Sequence, residues 1–213
     1  MKNRLSRRSL ISKLVRTSAY IGGLGLLSSK LTHAEESATN RVATESNIEG
    51  PFFREGAPFR AKVSPPFAEG ESILIQGRVL ELETGKPITG AMINIWQADH
   101  KGRYDHQIPN KRQELLYRTR TLSDENGFYE FESILPGRYQ TSPNVWRPRH
   151  IHYKIRRAGY RPLTTQLYFE GDPYNDKDNL IKPSLIIPLN KVDLGQGRYY
   201  LAGRFDIVLP TQS

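Results

Sequence analysis

From residue 72 onward the chain is a succession of short β runs, and that rhythm constrains its fold more than any other feature. "SILIQGRVLEL", "GAMINIWQA", "YRTRTLSD", "FYEFESIL", "HIHYKIRR", "TTQLYFEG", "SLIIPLNK" and "YYLAGRFDIVL" each suit one strand, and Gly, Pro, Asn or Asp separates them. About eight strands, without heptads or internal repeats, predict an all-β protein with a β-sandwich or barrel core. The turns carry their own chemistry: "ETGKP" sets a Gly before a Pro, and "DENGF" places Asn126-Gly127 where a tight hairpin needs positive φ. Helix is expected only as a minor component of the arm and loops.

A length of 213 residues suits one substantial domain, and 37% hydrophobic with 25% charged residues is an ordinary soluble composition. Residues 1–34 read differently: they carry seven Lys and Arg, no Asp or Glu, and an apolar stretch, "AYIGGLGLLSS", that ends at "THA". That is the pattern of an export signal. Within it, "SRRSLIS" with paired Arg7 and Arg8 resembles the twin-arginine leader of bacterial exported proteins, so a periplasmic location is expected. The apolar run is too short and Gly-rich to span a bilayer, and no stable membrane span is expected after signal removal. Residues 35–70, polar and then rich in Gly, Pro and Phe, read as an N-terminal arm, and residues 71–213 as the sandwich domain.

Removing the leader leaves 24 basic against 22 acidic residues, a net of +2 in place of the formal +9. The basicity is mostly leader, and no nucleic-acid partner is expected. The chain has no cysteine, which excludes disulfides, thiolate metal sites and cysteine nucleophiles. Any metal must be held by His, Tyr, Asp or Glu.

"RPRHIHYKI" supplies the first candidates. On a strand, His150 and His152 share one face while Ile151 and Tyr153 share the other. Two imidazoles on one face are natural neighbouring ligands if other segments bring the remaining donors. A cupin-like site would need a carboxylate soon after, where Lys154, Ile155 and Arg156 stand instead. A three-histidine zinc site would have to recruit His100 or His106. Two tyrosines precede the pair, Tyr104 in "HKGRYDH" and Tyr139 in "LPGRYQT", and both follow Gly-Arg. A phenolate is a hard anionic donor suited to ferric iron, and a cation favours ionising a group whose free pKa is about 10.

In order, "NIWQADHKGRY", "LPGRY" and "WRPRHIH" resemble the intradiol ring-cleavage dioxygenases, most nearly the protocatechuate dioxygenase branch and its β-type chain. The resemblance extends to "EGPFFREGAPFR" and "SDENGFYEFESILPGRY". It implies a mononuclear non-haem Fe(III) bound by Tyr104, Tyr139, His150 and His152. It also implies cleavage of a catechol-type diol, protocatechuate or another substituted catechol, with O2 to a cis,cis-muconate-type product. By the same resemblance Tyr139 yields to the incoming diol and takes a proton, and Arg147 steadies developing negative charge.

Against that role stands a surface guanidinium laid over Trp146, and Arg138 and Arg149 are expected to be solvated or paired. Gln140 and Thr141 depart from the Pro and Trp usual beside the second tyrosine, which leaves the ring substituent open. A homo-oligomer is expected, with a paired related chain as the alternative. The rival readings are a non-catalytic transthyretin-like or carboxypeptidase-regulatory-like module, and a Zn or Cu site using His106 with the histidine pair.

Overall fold

Alternation along the strands sets the architecture. In the computed structural model residues 41–110 and 113–212 are described, and the expected export signal lies outside them. β1 (Ser72–Glu81) turns Ile73, Ile75 and Val79 inward. It pairs antiparallel with β4 (Phe128–Ile134), and on its other edge runs parallel first to β11 (Arg198–Arg204) and then to β12 (Ile207–Leu209). β10 (Asn190–Gly195) completes this sheet beside β11. The second sheet has the order β3 (Arg118–Leu122), β2 (Met92–Gln97), β7 (His150–Arg156), β8 (Leu163–Phe169) and β9 (Ile186–Ile187). A separate two-stranded ribbon joins β5 (Tyr139–Ser142) to β6 (Val145–Arg147).

The two large sheets face each other across one apolar core. Ile73, Ile75, Val79, Phe131, Ile207 and Leu209 come from the first sheet; Ile93, Ile95, Ile151, Tyr153, Ile155 and Leu167 come from the second. Each fully buried aliphatic side chain contributes about 1.5–3 kcal/mol of transfer free energy, so this shared face holds the sandwich together.

The second sheet is buried on its other face as well, which an antiparallel sheet at a surface would not be. Cross-strand pairing aligns Arg118 of β3, Trp96 of β2, His152 of β7 and Gln166 of β8 in one row, with His150 opposite Tyr168 in the next. Directly opposed residues project to the same side, so all six lie on the face turned away from the core. The arm covers that face: Asn47 N–H donates to Thr164 O at 2.8 Å, Gln166 Nε2 to Ile48 O at 2.8 Å, and Lys154 pairs with Glu49.

The described residues form twelve strands where eight are expected from sequence. "YYLAGRFDIVL" divides at Phe205-Asp206, where Arg78 N–H bonds the Asp206 carboxylate at 2.9 Å in place of a ladder carbonyl. "SLIIPLNK" becomes a 3-10 turn (Pro183–Leu185) and the two-residue β9. β5, β6 and β10 are short or mostly exposed, so they lack the apolar alternation that reveals a strand.

Asn126-Gly127 makes no hairpin, because β3 and β4 belong to different sheets. Only Gly127 takes a positive φ, +72°, and Asp124 organises the crossover by accepting the N–H groups of Asn126 and Phe128, each at 2.8 Å. Helical residues among those described are confined to three-residue 3-10 turns in loops, and none is long and apolar enough to cross a membrane.

Candidate metal centre

The row on the outer face of the second sheet is the floor of the centre. His152 lies flat against Trp96, with ring centroids 4.7 Å apart and planes 7° apart, while His150 stands 4.9 Å away at a steep angle. His150 Nδ1 sits 2.7 Å from Pro148 O. A carbonyl only accepts, so that nitrogen carries the proton and Nε2 keeps its lone pair for the cavity.

Two loops bring the tyrosines over this floor. Tyr104 ends the loop after β2 and opens a 3-10 turn (Asp105–Gln107), its N–H donating to the Gln107 side chain at 2.8 Å. Tyr139 begins β5. The glycine two residues before each tyrosine has a shared purpose. A Cβ on Gly102 would lie 2.1 Å from Arg138 O, and one on Gly137 would lie 2.3 Å from Gly102 N. Gly137 N–H reaches Asp99 O at 2.7 Å. The two Gly-Arg-Tyr segments therefore meet backbone to backbone, and only glycine permits that approach.

The four side chains converge. Tyr139 Oη is 3.4 Å from His150 Nε2, the two phenol rings are 5.7 Å apart, and Tyr104 lies 6.4 Å from His152. Phe52 of the arm stacks on Tyr104 at 4.1 Å, and Gly50 comes so close to His152 that a Cβ would sit 3.4 Å from its Cε1.

Burial, with Arg147 nearby, pushes His150 down to about 3. Burial, then His150, Arg147 and Arg118, holds His152 well below its ordinary value. Burial and the adjacent Tyr139 push Tyr104 well above the ordinary phenol range, and burial raises Tyr139 against the pull of Arg147. All four donors are thus neutral at pH 7, with lone pairs available.

Tyr104 Oη and both nitrogens of His152 are buried without a hydrogen-bond partner among the described residues. Buried polar atoms without partners are costly. A cation bonded to Tyr104 Oη and to one imidazole nitrogen of His152 would remove part of that cost and would ionise the phenols, so the donor set fits a metal ion.

His106 does not join the pair. It stacks on Phe52 at 5.3 Å and lies 3.6 Å from Asp105, while His100 bonds Glu69 at 3.1 Å. Among the described residues no three His, Asp or Glu side chains form a metal-sized group, and the side-chain oxygens nearest His150 and His152 include those of the two tyrosines.

Arg147 is not a surface cation over Trp146. It is 7% exposed, pairs with Tyr139 across the ribbon, and donates to Asp178 at 2.6 Å, Gln166 at 2.6 Å and Tyr168 at 3.1 Å. Trp146 points to the opposite, half-exposed side of the ribbon. Arg138 and Arg149 are paired, Arg138 with Asp172 at 2.9 Å and Arg149 with Pro136 O at 3.1 Å.

Sequence reasoning missed Gln166, Tyr168, Arg118 and Asp105. The available signal was a polar residue inside an apolar strand, as Gln166 is in "TTQLYF".

The family model described as "Dioxygenase" matches residues 48–211, the whole span from the arm to the last strand. The chain belongs to the intradiol dioxygenase family. It is 40% identical over 172 residues to a chlorocatechol 1,2-dioxygenase of Rhodococcus opacus, covering 71% of this chain and 66% of that one. It is 36% identical over 154 residues to a protocatechuate 3,4-dioxygenase beta chain of Burkholderia cepacia, covering 66% and 65%. The crystal structure of 3-chlorocatechol 1,2-dioxygenase from Rhodococcus opacus superposes with a TM-score of 0.74 at 30% identity, over 82% of this chain and 75% of that one. The chain thus spans less than two thirds of the length of either relative matched by sequence. Membership of this family sets aside the non-catalytic sandwich module as the source of the strand and turn pattern.

Proposed function

We propose that this intradiol dioxygenase holds a non-haem ferric ion through Tyr104, Tyr139, His150 and His152, and cleaves a catechol-type diol with O2 to a cis,cis-muconate-type product. The observation that carries the proposal is the convergence of two phenols and two neutral imidazoles on one buried point, with Tyr104 Oη and His152 unsatisfied. Two phenolates favour the trivalent ion. When bound, that ion supplies a Lewis-acidic, redox-active centre that couples an ionised diol to O2.

The chain's own residues divide the remaining work. Tyr104 is fixed beneath Phe52, whereas Tyr139 sits on a short, largely exposed ribbon and is the donor free to yield. Its phenolate oxygen, ionised while held by the ion, then takes a proton from the incoming diol and becomes a neutral phenol. Arg147, buried and held by Asp178 and Gln166, keeps a fixed positive charge beside Tyr139, where the oxygens of a bound ring gain negative charge. Phe52, Phe53 and Trp96 exclude water from the Tyr104 side.

Gln140 and Thr141, beside Tyr139 on the exposed ribbon, are the residues whose identity leaves the ring substituent open. The proposed substrate class is a catechol-type diol, protocatechuate or another substituted catechol.

Purified protein loaded with iron should contain one ferric ion per chain and be wine-coloured from tyrosinate-to-iron charge transfer. Oxygen uptake with catechol, chlorocatechols, protocatechuate and hydroxyquinol should rank the ring substituents. Absence of ferric iron after loading, or iron without uptake on any diol, overturns the proposal.

We further propose export by the twin-arginine route as a homo-oligomer, with no second chain type required. Arg7→Lys with Arg8→Lys should retain the protein in the cytoplasm. Light scattering on the purified chain should give a multiple of its mass, and a monomer inactive without a partner chain defeats the homo-oligomer.

A further inference from the structure

A buried ion pair needs a reason, because desolvating two charges costs several kcal/mol and an apolar pair of similar volume often serves stability as well. Asp105 is 0% and Arg118 1% exposed, and they form a two-pronged bond with Arg118 Nε to Oδ2 at 2.6 Å and Nη2 to Oδ1 at 2.8 Å. The rest of the carboxylate is also engaged, by Arg54 Nη1 at 3.0 Å and by the N–H of His106 at 2.9 Å.

The pair lies at both approaches to Tyr104. Asp105 is the next residue in the chain, so fixing its side chain fixes the backbone from which the Tyr104 ring departs. The third prong of Arg118, Nη1, bonds Phe52 O at 2.6 Å, and the Phe52 ring is the one stacked on Tyr104 at 4.1 Å. Arg118 itself is anchored in the floor row, opposite Trp96 and one strand further from His152. At its tip, Tyr104 has no hydrogen bond to set its direction. Its aim is therefore set from behind, by the backbone and by the ring above it, and one guanidinium holds both.

We propose that Asp105 and Arg118 are positioning residues for Tyr104, holding its phenol oxygen at bonding distance from an ion shared with His152. The inference rests on the reading of Tyr104 as a ferric ligand. Outer-shell partners of metal ligands commonly carry about 10-fold to 100-fold of metal affinity, and the same scale is expected here.

The experiment compares iron-loaded wild type with Asp105→Asn, Arg118→Lys and, as a control, Tyr129→Phe in the apolar core. Ferric affinity is read by chelator competition, the charge-transfer band by visible absorption, and folding by thermal melting. Asp105→Asn and Arg118→Lys should each weaken ferric affinity by about 10-fold or more and shift or broaden the band. Tyr129→Phe should lower the melting temperature while leaving affinity and band unchanged.

Should Asp105→Asn and Arg118→Lys both fail to fold, Arg54→Ala removes the outer contact to Asp105, together with a bond to Glu114 O, leaves the Asp105–Arg118 pair in place and should give a smaller change of the same kind. Wild-type iron binding and band with unchanged values in the folded variants overturn the inference alone. A wild type that binds no ferric iron overturns it together with the metal reading. A loss of affinity that tracks melting temperature across all variants, Tyr129→Phe included, assigns the pair to stability and also overturns it.

Discussion

Two pairs of buried tyrosines lie on opposite sides of the second sheet, one inside the apolar core and one outside it, and their surroundings differ. Tyr129 and Tyr153 meet inside the apolar core with ring centroids 6.3 Å apart, and Tyr129 donates to Phe205 O at 2.6 Å. Tyr104 and Tyr139 meet at 5.7 Å on the outer face of the second sheet. Burial pushes Tyr129 and Tyr153 upward as it does Tyr104 and Tyr139, and Tyr153 Oη is without a partner just as Tyr104 Oη is. A buried, unsatisfied, hard-to-ionise phenol is therefore no mark of a ligand by itself. What separates the outer pair is company: imidazole nitrogens with free lone pairs share its cavity, whereas Phe131 and Phe205 surround the inner pair.

The sharpest way to break that comparison is to delete one hydroxyl from each pair. Tyr104→Phe should cost more than about 100-fold in ferric affinity, beyond what outer-shell changes cost, and abolish turnover, as chelator competition and oxygen uptake would register. Next in size, Arg147→Lys keeps the charge but cannot bond Asp178, Gln166 and Tyr168 together. It should lower kcat by on the order of 10²-fold with iron content intact, since a displaced electrostatic group loses most of its transition-state effect.

The histidines separate the two faces by pH. His150 titrates near 3 in the folded, metal-free protein against 6.5 unfolded, so the unfolded chain binds more protons between those values. Stability is fully present above pH 6.5 and falls as pH drops toward 3, and urea melts of metal-free protein over that window should show it. His150→Gln should flatten the slope, and an unchanged slope would put the titration elsewhere.

The smallest effects belong to the inner pair. Tyr129→Phe leaves Phe205 O without its donor and should cost about 1–3 kcal/mol, whereas Tyr153→Phe removes a hydroxyl that bonds nothing and should be near neutral. Neither should alter iron loading. An iron defect in Tyr129→Phe would dissolve the distinction between the two pairs.

The histidine pair was legible as neighbours on one strand face, and the two tyrosines were reached through the ordered motifs that resemble the family. The shared face of the His-x-His of β7 follows from a period of two, whereas the glycine of each Gly-Arg-Tyr is required by contact with the other loop. The hairpin expected at Asn126-Gly127 was misjudged because turn chemistry is the same whether the next strand pairs beside its neighbour or crosses to another sheet. Arg118 and Gln166 were invisible as site residues because their role arises from cross-strand register, which no local window contains. The exposed reading of Arg147 failed for the same reason: Asp178, Gln166 and Tyr168, which draw it inward, lie nineteen or more residues away in sequence.

By itself the sequence determined the β content, the shared face of His150 and His152 and the lack of thiol chemistry, since these follow from side-chain type and short-range period, while its resemblance to a family pointed to Tyr104 and Tyr139 as their companions. Only the tertiary structure decided that the arm roofs the second sheet, that the two Gly-Arg-Tyr loops touch, and that a buried Asp105–Arg118 pair stands behind Tyr104. Those outcomes depend on which distant strands lie side by side, and burial of the shared core fixes that choice.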